Sequence, residues 1–220
     1  MPPDYMLFES FKLDYDKYFN NGLDSASSLV DIWSPHIFLN KKKILDWGCG
    51  PARIARHLPS LLPTCEIYAT DYNEKTIRWC KANIPSVHFS MNSLNPPTHF
   101  ESDFFDVVYG ISIFTHLSEP NHQGWYDELV RILAQGGILF LTTQGNAFKE
   151  ILTSPEQEDF NSGKLVVRGK AKEGHRVYSA FHPTEYMTSL FEQHCTILVH
   201  HPGIKKEWGI EQDSWILKKK

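Results

Sequence analysis

An α/β fold with a doubly wound, mostly parallel sheet is what this sequence predicts, and three observations predict it. Strand and helix signals alternate from residue 43 to about residue 143. The first strand runs into an acidic residue and a glycine-punctuated turn, Asp46-Trp47-Gly48-Cys49-Gly50. Beyond residue 143 the alternation gives way to short strands joined by glycine and proline, and strands added to a sheet by short connections must pair antiparallel.

The elements follow in order. Ile44–Trp47 is the first strand, and a helix is expected from about Ala52 to Leu58, with Ile54, Ala55 and Leu58 as its apolar positions. Cys65–Thr70 is the second strand, ending at Asp71; Asn73 can cap a helix through Asn83, which Pro85 closes. Val87–Met91 and Phe104–Tyr109 are the third and fourth strands. A helix from about His122 to Ala134 sets Trp125, Leu129 and Ile132 or Leu133 on one face; Gly136-Gly137 stops it, and Ile138–Thr143 is the fifth strand. Leu165–Val167 and Arg176–Phe181 read as an inserted antiparallel hairpin, Pro183–Phe191 as a helix, and Cys195–His200 and Ser214–Leu217 as two closing strands, seven in the sheet altogether.

The bulk composition bounds the answer. At 220 residues, 41% hydrophobic and 22% charged, the chain suits one folded domain with a full core. A net charge of −4, from 26 acidic and 22 basic residues, provides no basic field for nucleic acid, and no nucleic-acid partner is expected. No stretch approaches the roughly 20 apolar residues of a membrane span, and the N-terminus lacks the layout of a secretory signal. The four cysteines, Cys49, Cys65, Cys80 and Cys195, have no paired spacing, which suits reduced thiols and a cytoplasmic location.

The turn after the first strand separates the candidate ligands. Glycine there lets the chain turn sharply and admits a bulky ligand where a Cβ would block it. A dinucleotide fingerprint needs a third glycine three positions after the second, and Arg53 stands at that position. The pattern acidic-x-Gly-x-Gly-x-Gly fits better: Asp46, Gly48, Gly50 and, in place of the last glycine, Ala52. No Gly-x-x-x-x-Gly-Lys phosphate loop is present.

In these residues the chain resembles the class I S-adenosylmethionine-dependent methyltransferases, whose first motif has this form and whose fold is a Rossmann-like seven-stranded sheet. Later residues are similar to a branch described mostly as small-molecule methyltransferases: Ser112-Ile113-Phe114-Thr115-His116-Leu117 after the fourth strand, Leu141-Thr142-Thr143, Phe181-His182-Pro183, and Gln212-Asp213 before the last strand. The resemblance covers most of residues 40–217 and implies S-adenosyl-L-methionine as cofactor, with S-adenosyl-L-homocysteine as product. With no internal repeat, low-complexity segment or linker, one domain is expected: an N-terminal lid or helix over 1–40, a cofactor-binding core over 41–143, an acceptor-side insertion over 144–182, and a closing helix and strands over 183–220.

Candidate site residues follow. Asp46, Gly48, Cys49 and Gly50 form the turn at the cofactor. Asp71 can accept two hydrogen bonds from a ribose diol, although an acid there also suits the start of the next helix, and Tyr72 follows it. Where the family often has an acid at the adenine amino group this chain has Asn92-Ser93; either can accept through its side-chain oxygen, and a plain turn also explains the pair. Gly110 and Ile111 follow the fourth strand, where ligands gather in open α/β sheets. Arg53 or Arg56 can pair the methionine carboxylate or stay solvated. The aromatic N-terminus (Tyr5, Phe8, Phe11, Tyr15, Tyr18, Phe19) is read as a lid with Tyr18 near the methionine end, or as a helix packed on the sheet.

His116 is the candidate general base, since a hydroxyl acceptor must lose a proton; the alternative is a histidine holding the turn. The acceptor is expected to be a small molecule, oxygen ahead of nitrogen. Lys164, Arg168, Lys170, Lys172, His175 and Arg176 make the insertion locally basic, as an acidic or phosphorylated acceptor would want or a solvated hairpin face would show. Asn95-Pro96-Pro97 is similar to the Asn-Pro-Pro-aromatic motif of DNA adenine methyltransferases, but it precedes the fourth strand and Thr98 replaces the aromatic, so a loop is expected. No metal is expected: His194-Cys195 and His200-His201 are strand neighbours facing opposite ways. Two rivals remain, a non-catalytic S-adenosylmethionine-binding module and a nicotinamide-dependent oxidoreductase.

Overall fold

A computed structural model describes residues 1–11, 13–175 and 177–220. The expected hairpin start at Arg176, its cation, and the ring of Phe11 lie outside what is described. The helices are α1 (Asp4–Phe11), α2 (Tyr15–Phe19), α3 (Asn21–Trp33), α4 (Leu58–Leu61), α5 (Glu74–Asn83), α6 (Glu119–Ile132), α7 (Ser154–Asn161) and α8 (Thr184–Phe191). The strands are β1 (Lys43–Trp47), β2 (Glu66–Asp71), β3 (His88–Met91), β4 (Phe105–Gly110), β5 (Leu133–Thr143), β6 (Val166–Arg168), β7 (Ser179–Phe181), β8 (Cys195–His201), β9 (Lys205–Lys206), β10 (Gly209–Ile210) and β11 (Asp213–Lys219).

Seven strands form the main sheet in the order β3-β2-β1-β4-β5-β11-β8. Pairing is parallel from β3 to β5, while β11 lies antiparallel to both β5 and β8. This is the mostly parallel α/β sheet that the alternation predicts. Successive residues on each strand face opposite layers. Ile44, Val107 and Ile138 pack under α3 and α5, with Leu29, Trp33 and Ile77. Leu45, Val108 and Leu139 pack under α6 and α8, with Trp125, Leu129 and Phe191. The chain leaves β1 toward β3 and later returns to β4 on β1's other side, so the direction of winding reverses between β1 and β4. A crevice at the carboxyl ends of these strands is where open α/β sheets bind ligands.

Several boundaries differ from expectation. The helix over 52–58 is replaced by turns, a 3-10 turn at Ala55–His57 and the short α4, because Ala52 sits at φ +59, off the right-handed helix. Helix α6 starts near Ser118 rather than His122, with Pro120 in its first turn, where its missing N–H costs nothing. The glycine pair lies inside β5: Gly136 takes φ +72, and the β4–β5 register shifts between Phe105 and Val107. The insertion has the expected hairpin, β6 against β7, together with α7 and a miniature core of Leu152, Phe160, Val166 and Phe181. No helix among the described residues is long and apolar enough to cross a membrane.

Candidate active site

The turn after β1 is built mainly by backbone groups. The N–H groups of Gly48 and Cys49 both donate to the Thr70 carbonyl at 2.8 Å. Gly50 N–H donates to Asp71 Oδ2 at 2.9 Å and Asn73 N–H to Oδ1 at 2.8 Å. The Asp71 carboxylate therefore clamps the turn to the start of α5. Gly48 and Gly50 lie at φ +79 and +51, and a Cβ on Gly48 would collide with the Ile113 side chain.

Around this turn lies a cavity of about 390 Å³, walled by Asp46, Gly48, Cys49, Gly50, Arg53, Asp71 and Tyr72 of the predicted set, and by Ile111 and His116 across from them. A smaller apolar recess of about 60 Å³ adjoins it between Trp47, Leu94 and Trp125, and Asn92 and Ser93 line it. Both volumes share Gly48, Asp71, Tyr72, Ile113, His116 and Gly174.

Two predicted residues stand outside the walls. Gly110 is a packing glycine, since a Cβ there would press on the Trp47 ring. Tyr18 is buried behind the turn and donates from its hydroxyl to the Pro51 carbonyl at 3.0 Å. From the N-terminal helices it is Met6 and Lys17 that reach the cavity. Arg56 also points away, donating to the Tyr18 and Phe19 carbonyls at 2.9 and 3.1 Å with its guanidinium over the Tyr18 ring. Arg53 lines the cavity while donating to Ser25 Oγ at 2.9 Å. Neither arginine is a solvated helix residue.

The site is electrostatically divided. Burial pushes the Asp46 carboxyl up to about 7, and Asp71 adds to the rise, while Tyr109 and Arg53 oppose it. Cys49, also buried beside these acids, is raised too and stays a thiol. On the other wall burial lowers the His116 imidazole, opposed by its bond to the Tyr178 carbonyl, with His175 lowering it further. Nδ1 of His116 lies 2.8 Å from that carbonyl, which can only accept, so the neutral ring carries its proton on Nδ1 and leaves Nε2 bare.

The insertion roofs the cavity. Gly174 N–H donates to the His116 carbonyl at 2.9 Å, and the Tyr72 hydroxyl donates to the Gly174 carbonyl at 3.1 Å. Glu173 accepts from Ser118 N–H at 2.5 Å and from Asn121 at 2.8 Å, capping α6, where the Ser118 side chain makes no capping bond. The insertion's positive charge is partly spent internally: Arg168 pairs with Glu156 at 2.6 Å and Lys164 with Asp159 at 3.3 Å.

Asn95-Pro96-Pro97 is a loop ahead of β4, as expected. Asn95 accepts from Asn121 at 2.9 Å, and the following Thr98 donates to the buried Glu128 at 2.5 Å and receives its support. Sequence reasoning missed Met6, Lys17, Ser112, Ile113 and Gly174; Ser112 and Ile113 sit inside the stretch that was singled out, and the others carry no local signal.

The cavity fits an adenosyl ligand on its own geometry. Asn92 Oδ1 is buried with no hydrogen-bond partner among the described residues, and Asn92 lines the apolar recess, where a flat base with an exocyclic amino group would satisfy it. The Gly48-Cys49-Gly50 turn itself lines the cavity.

Comparison with known proteins agrees. Residues 44–137 match the family model described as a methyltransferase domain. A release factor glutamine methyltransferase from Aliivibrio fischeri is 23% identical over 177 residues, 75% of this chain and 58% of that protein. A phthiotriol/phenolphthiotriol dimycocerosates methyltransferase from Mycobacterium ulcerans is 30% identical over 110 residues, 49% of this chain and 39% of that protein. The chain thus spans about half the length of the curated relatives it matches. A SAM-dependent methyltransferase structure from Methanosarcina mazei superposes with a TM-score of 0.68 at 17% identity, covering 86% of this chain and 96% of that one, a likeness of fold. Residues 44–137, which carry the glycine turn and most of the cavity wall, match a methyltransferase domain, and the chain shares its fold with S-adenosylmethionine-dependent methyltransferases.

Proposed function

We propose that this protein transfers a methyl group from S-adenosyl-L-methionine to a small-molecule acceptor, oxygen ahead of nitrogen, with His116 as general base. When bound, the cofactor supplies an electrophilic methyl group on a sulfonium. Asp71 would accept the ribose hydroxyls and Asn92 the adenine amino group, with Ser93 beside it. Tyr72 and Ile111 would flank the nucleoside, and the Gly48-Cys49-Gly50 backbone would lie along it. Asp46 suits the α-ammonium group and Arg53 the carboxylate of the methionyl end. Tyr18 and Gly110 serve from behind the wall, by holding the turn and by making room for Trp47.

The observation that carries the acceptor chemistry is the tautomer of His116. A ring whose Nδ1 proton is committed to Tyr178 has Nε2 ready to take a proton from a hydroxyl as the oxygen acquires the methyl group. Holding acceptor and methyl in line within a closed site supplies much of the remaining acceleration. Residues 144–182 and the N-terminal helices would form the acceptor side, and the name of the mycobacterial relative supports a small acceptor. A second reading, methylation of a glutamine side chain on a protein, is favoured by the longer overlap with the release factor enzyme.

A screen of small hydroxyl, carboxyl and amino acceptors and of a glutamine-containing release-factor peptide, scored by the mass gain of one methyl group, tests both readings. We expect a hydroxyl acceptor to be methylated. We also expect His116→Ala to lower its turnover about 10²- to 10⁴-fold while S-adenosylhomocysteine still binds. Full turnover in that variant removes the base, and methylation of the peptide alone removes the small acceptor.

A further inference from the structure

Ser112 is a non-glycine residue at φ +63 on the cavity wall, a conformation that costs energy unless its surroundings hold it. A closed chain of hydrogen bonds does so. Ser112 N–H donates to Thr142 Oγ1 at 2.8 Å, and Thr142 Oγ1 donates to Gln212 Oε1 at 2.6 Å. Gln212 Nε2 then donates back to Ser112 Oγ at 2.8 Å. Thr115 Oγ1 donates to the Ser112 carbonyl at 2.6 Å and lies 3.0 Å from Ser112 Oγ. Each proton in the ring has one direction. Thr115 and Thr142 have given theirs away, so Ser112 Oγ donates to Thr115 and accepts from Gln212.

Gln212 is the one member from the far end of the chain, 100 residues from Ser112, just before β11, and it does not line either cavity. Its amide is the element that needs both a donor and an acceptor, so neither an apolar side chain nor a carboxylate replaces it. The loop it fixes presents Ile111, Ile113 and His116 to the cavity.

We propose that Gln212 is a positioning residue for the 111–116 wall of the cofactor cavity, acting through Ser112 and Thr142. The inference rests on the reading of that cavity as the S-adenosylmethionine site. Gln212 does not touch the ligand; it sets the loop that does.

The test is calorimetric titration of S-adenosylhomocysteine into the wild type and into Gln212→Ala, Gln212→Glu, Ser112→Gly and the double variant Gln212→Ala/Ser112→Gly, with a thermal melt of each. Ser112→Gly relieves the left-handed backbone while removing Oγ, and Gln212→Glu keeps the shape while losing the donor. We expect each single variant to bind about five- to tenfold more weakly with a melting temperature near that of the wild type, and the double variant to be no weaker than the worse single one. Binding within twofold of wild type in Gln212→Ala and Gln212→Glu overturns the proposal, as does additivity in the double variant. A drop in melting temperature that accounts for the lost binding also overturns it, because the role is then one of folding. Failure of the wild type itself to bind overturns the cavity reading instead.

Discussion

The two sides of the cavity are made differently. The floor, at the ends of β1 and β2, is backbone bonded to backbone and to one carboxylate: Thr70 O takes two N–H groups and Asp71 two more. The roof, from loop 169–175 with Met6 and Lys17 of the N-terminal helices, is attached mainly through side chains, Glu173 to Ser118 and Asn121 of α6 and Tyr72 to Gly174, with one backbone bond from Gly174 to His116. A floor of this kind is set once the sheet forms and cannot yield without losing the ligand's shape. A roof held by a few bonds can open locally at small cost, which a site that admits and releases a large ligand requires.

The sharpest way to break this contrast is Asp71→Ala. It removes the acceptor of two backbone N–H groups and the proposed ribose contact together. Hydrogen bonds to a charged group are worth about 1.5–3 kcal/mol each, so S-adenosylhomocysteine affinity should fall about a hundredfold or more in calorimetry, with a lower melting temperature. An unchanged affinity would place the ligand elsewhere.

Asp46→Asn probes the floor's charge. With the folded carboxyl pushed up to about 7 from an ordinary carboxylate value, the folded state holds more protons than the unfolded one between about pH 4 and 7. Wild-type stability therefore falls as pH rises through that window, and the loss is complete above it. The asparagine variant should melt several degrees higher at pH 8, with the gain vanishing toward pH 4. Its affinity for S-adenosylhomocysteine should be lower and flat with pH, whereas the wild type tightens from pH 6 to 8 as the carboxylate forms to meet the ammonium group. Equal pH profiles for the two proteins would remove Asp46 from the site.

A smaller effect is expected in the roof. Glu173→Ala deletes the cap of α6, worth about 1 kcal/mol, and should speed dissociation of S-adenosylhomocysteine about two- to fivefold in stopped-flow while leaving association nearly unchanged. If Glu173→Ala costs as much affinity as Asp71→Ala, the distinction between floor and roof is gone.

The same division explains what the sequence made legible. The floor was readable because strand alternation, a fixed glycine spacing and the cap at Asn73 are local signals: Asn73 Oδ1 accepts from Lys75 and Thr76 N–H as its position before α5 implies. Even there the helix after Gly50 was misplaced, since nothing local says that Ala52 adopts a left-handed turn. The roof was only partly readable. Thr153-Ser154-Pro155-Glu156 is a capping box that marks α7, a signal that was present but unread. For Arg56 the sequence leaves open the cofactor carboxylate or solvent, and its stacking on Tyr18 joins residues 38 positions apart, which no spacing rule reveals. Ser112 and Gln212, 100 residues apart, share that obscurity.

The proposal for the turn after β1 is an adenosyl ligand held against Asp71 and Asn92. A crystal grown with saturating S-adenosylhomocysteine tests it most directly. The ribose hydroxyls are expected on Asp71 and the adenine amino group on Asn92 Oδ1, within the recess beside Trp47. A ligand lodged in any other part of the molecule, or a turn that stays empty at saturation, would contradict it.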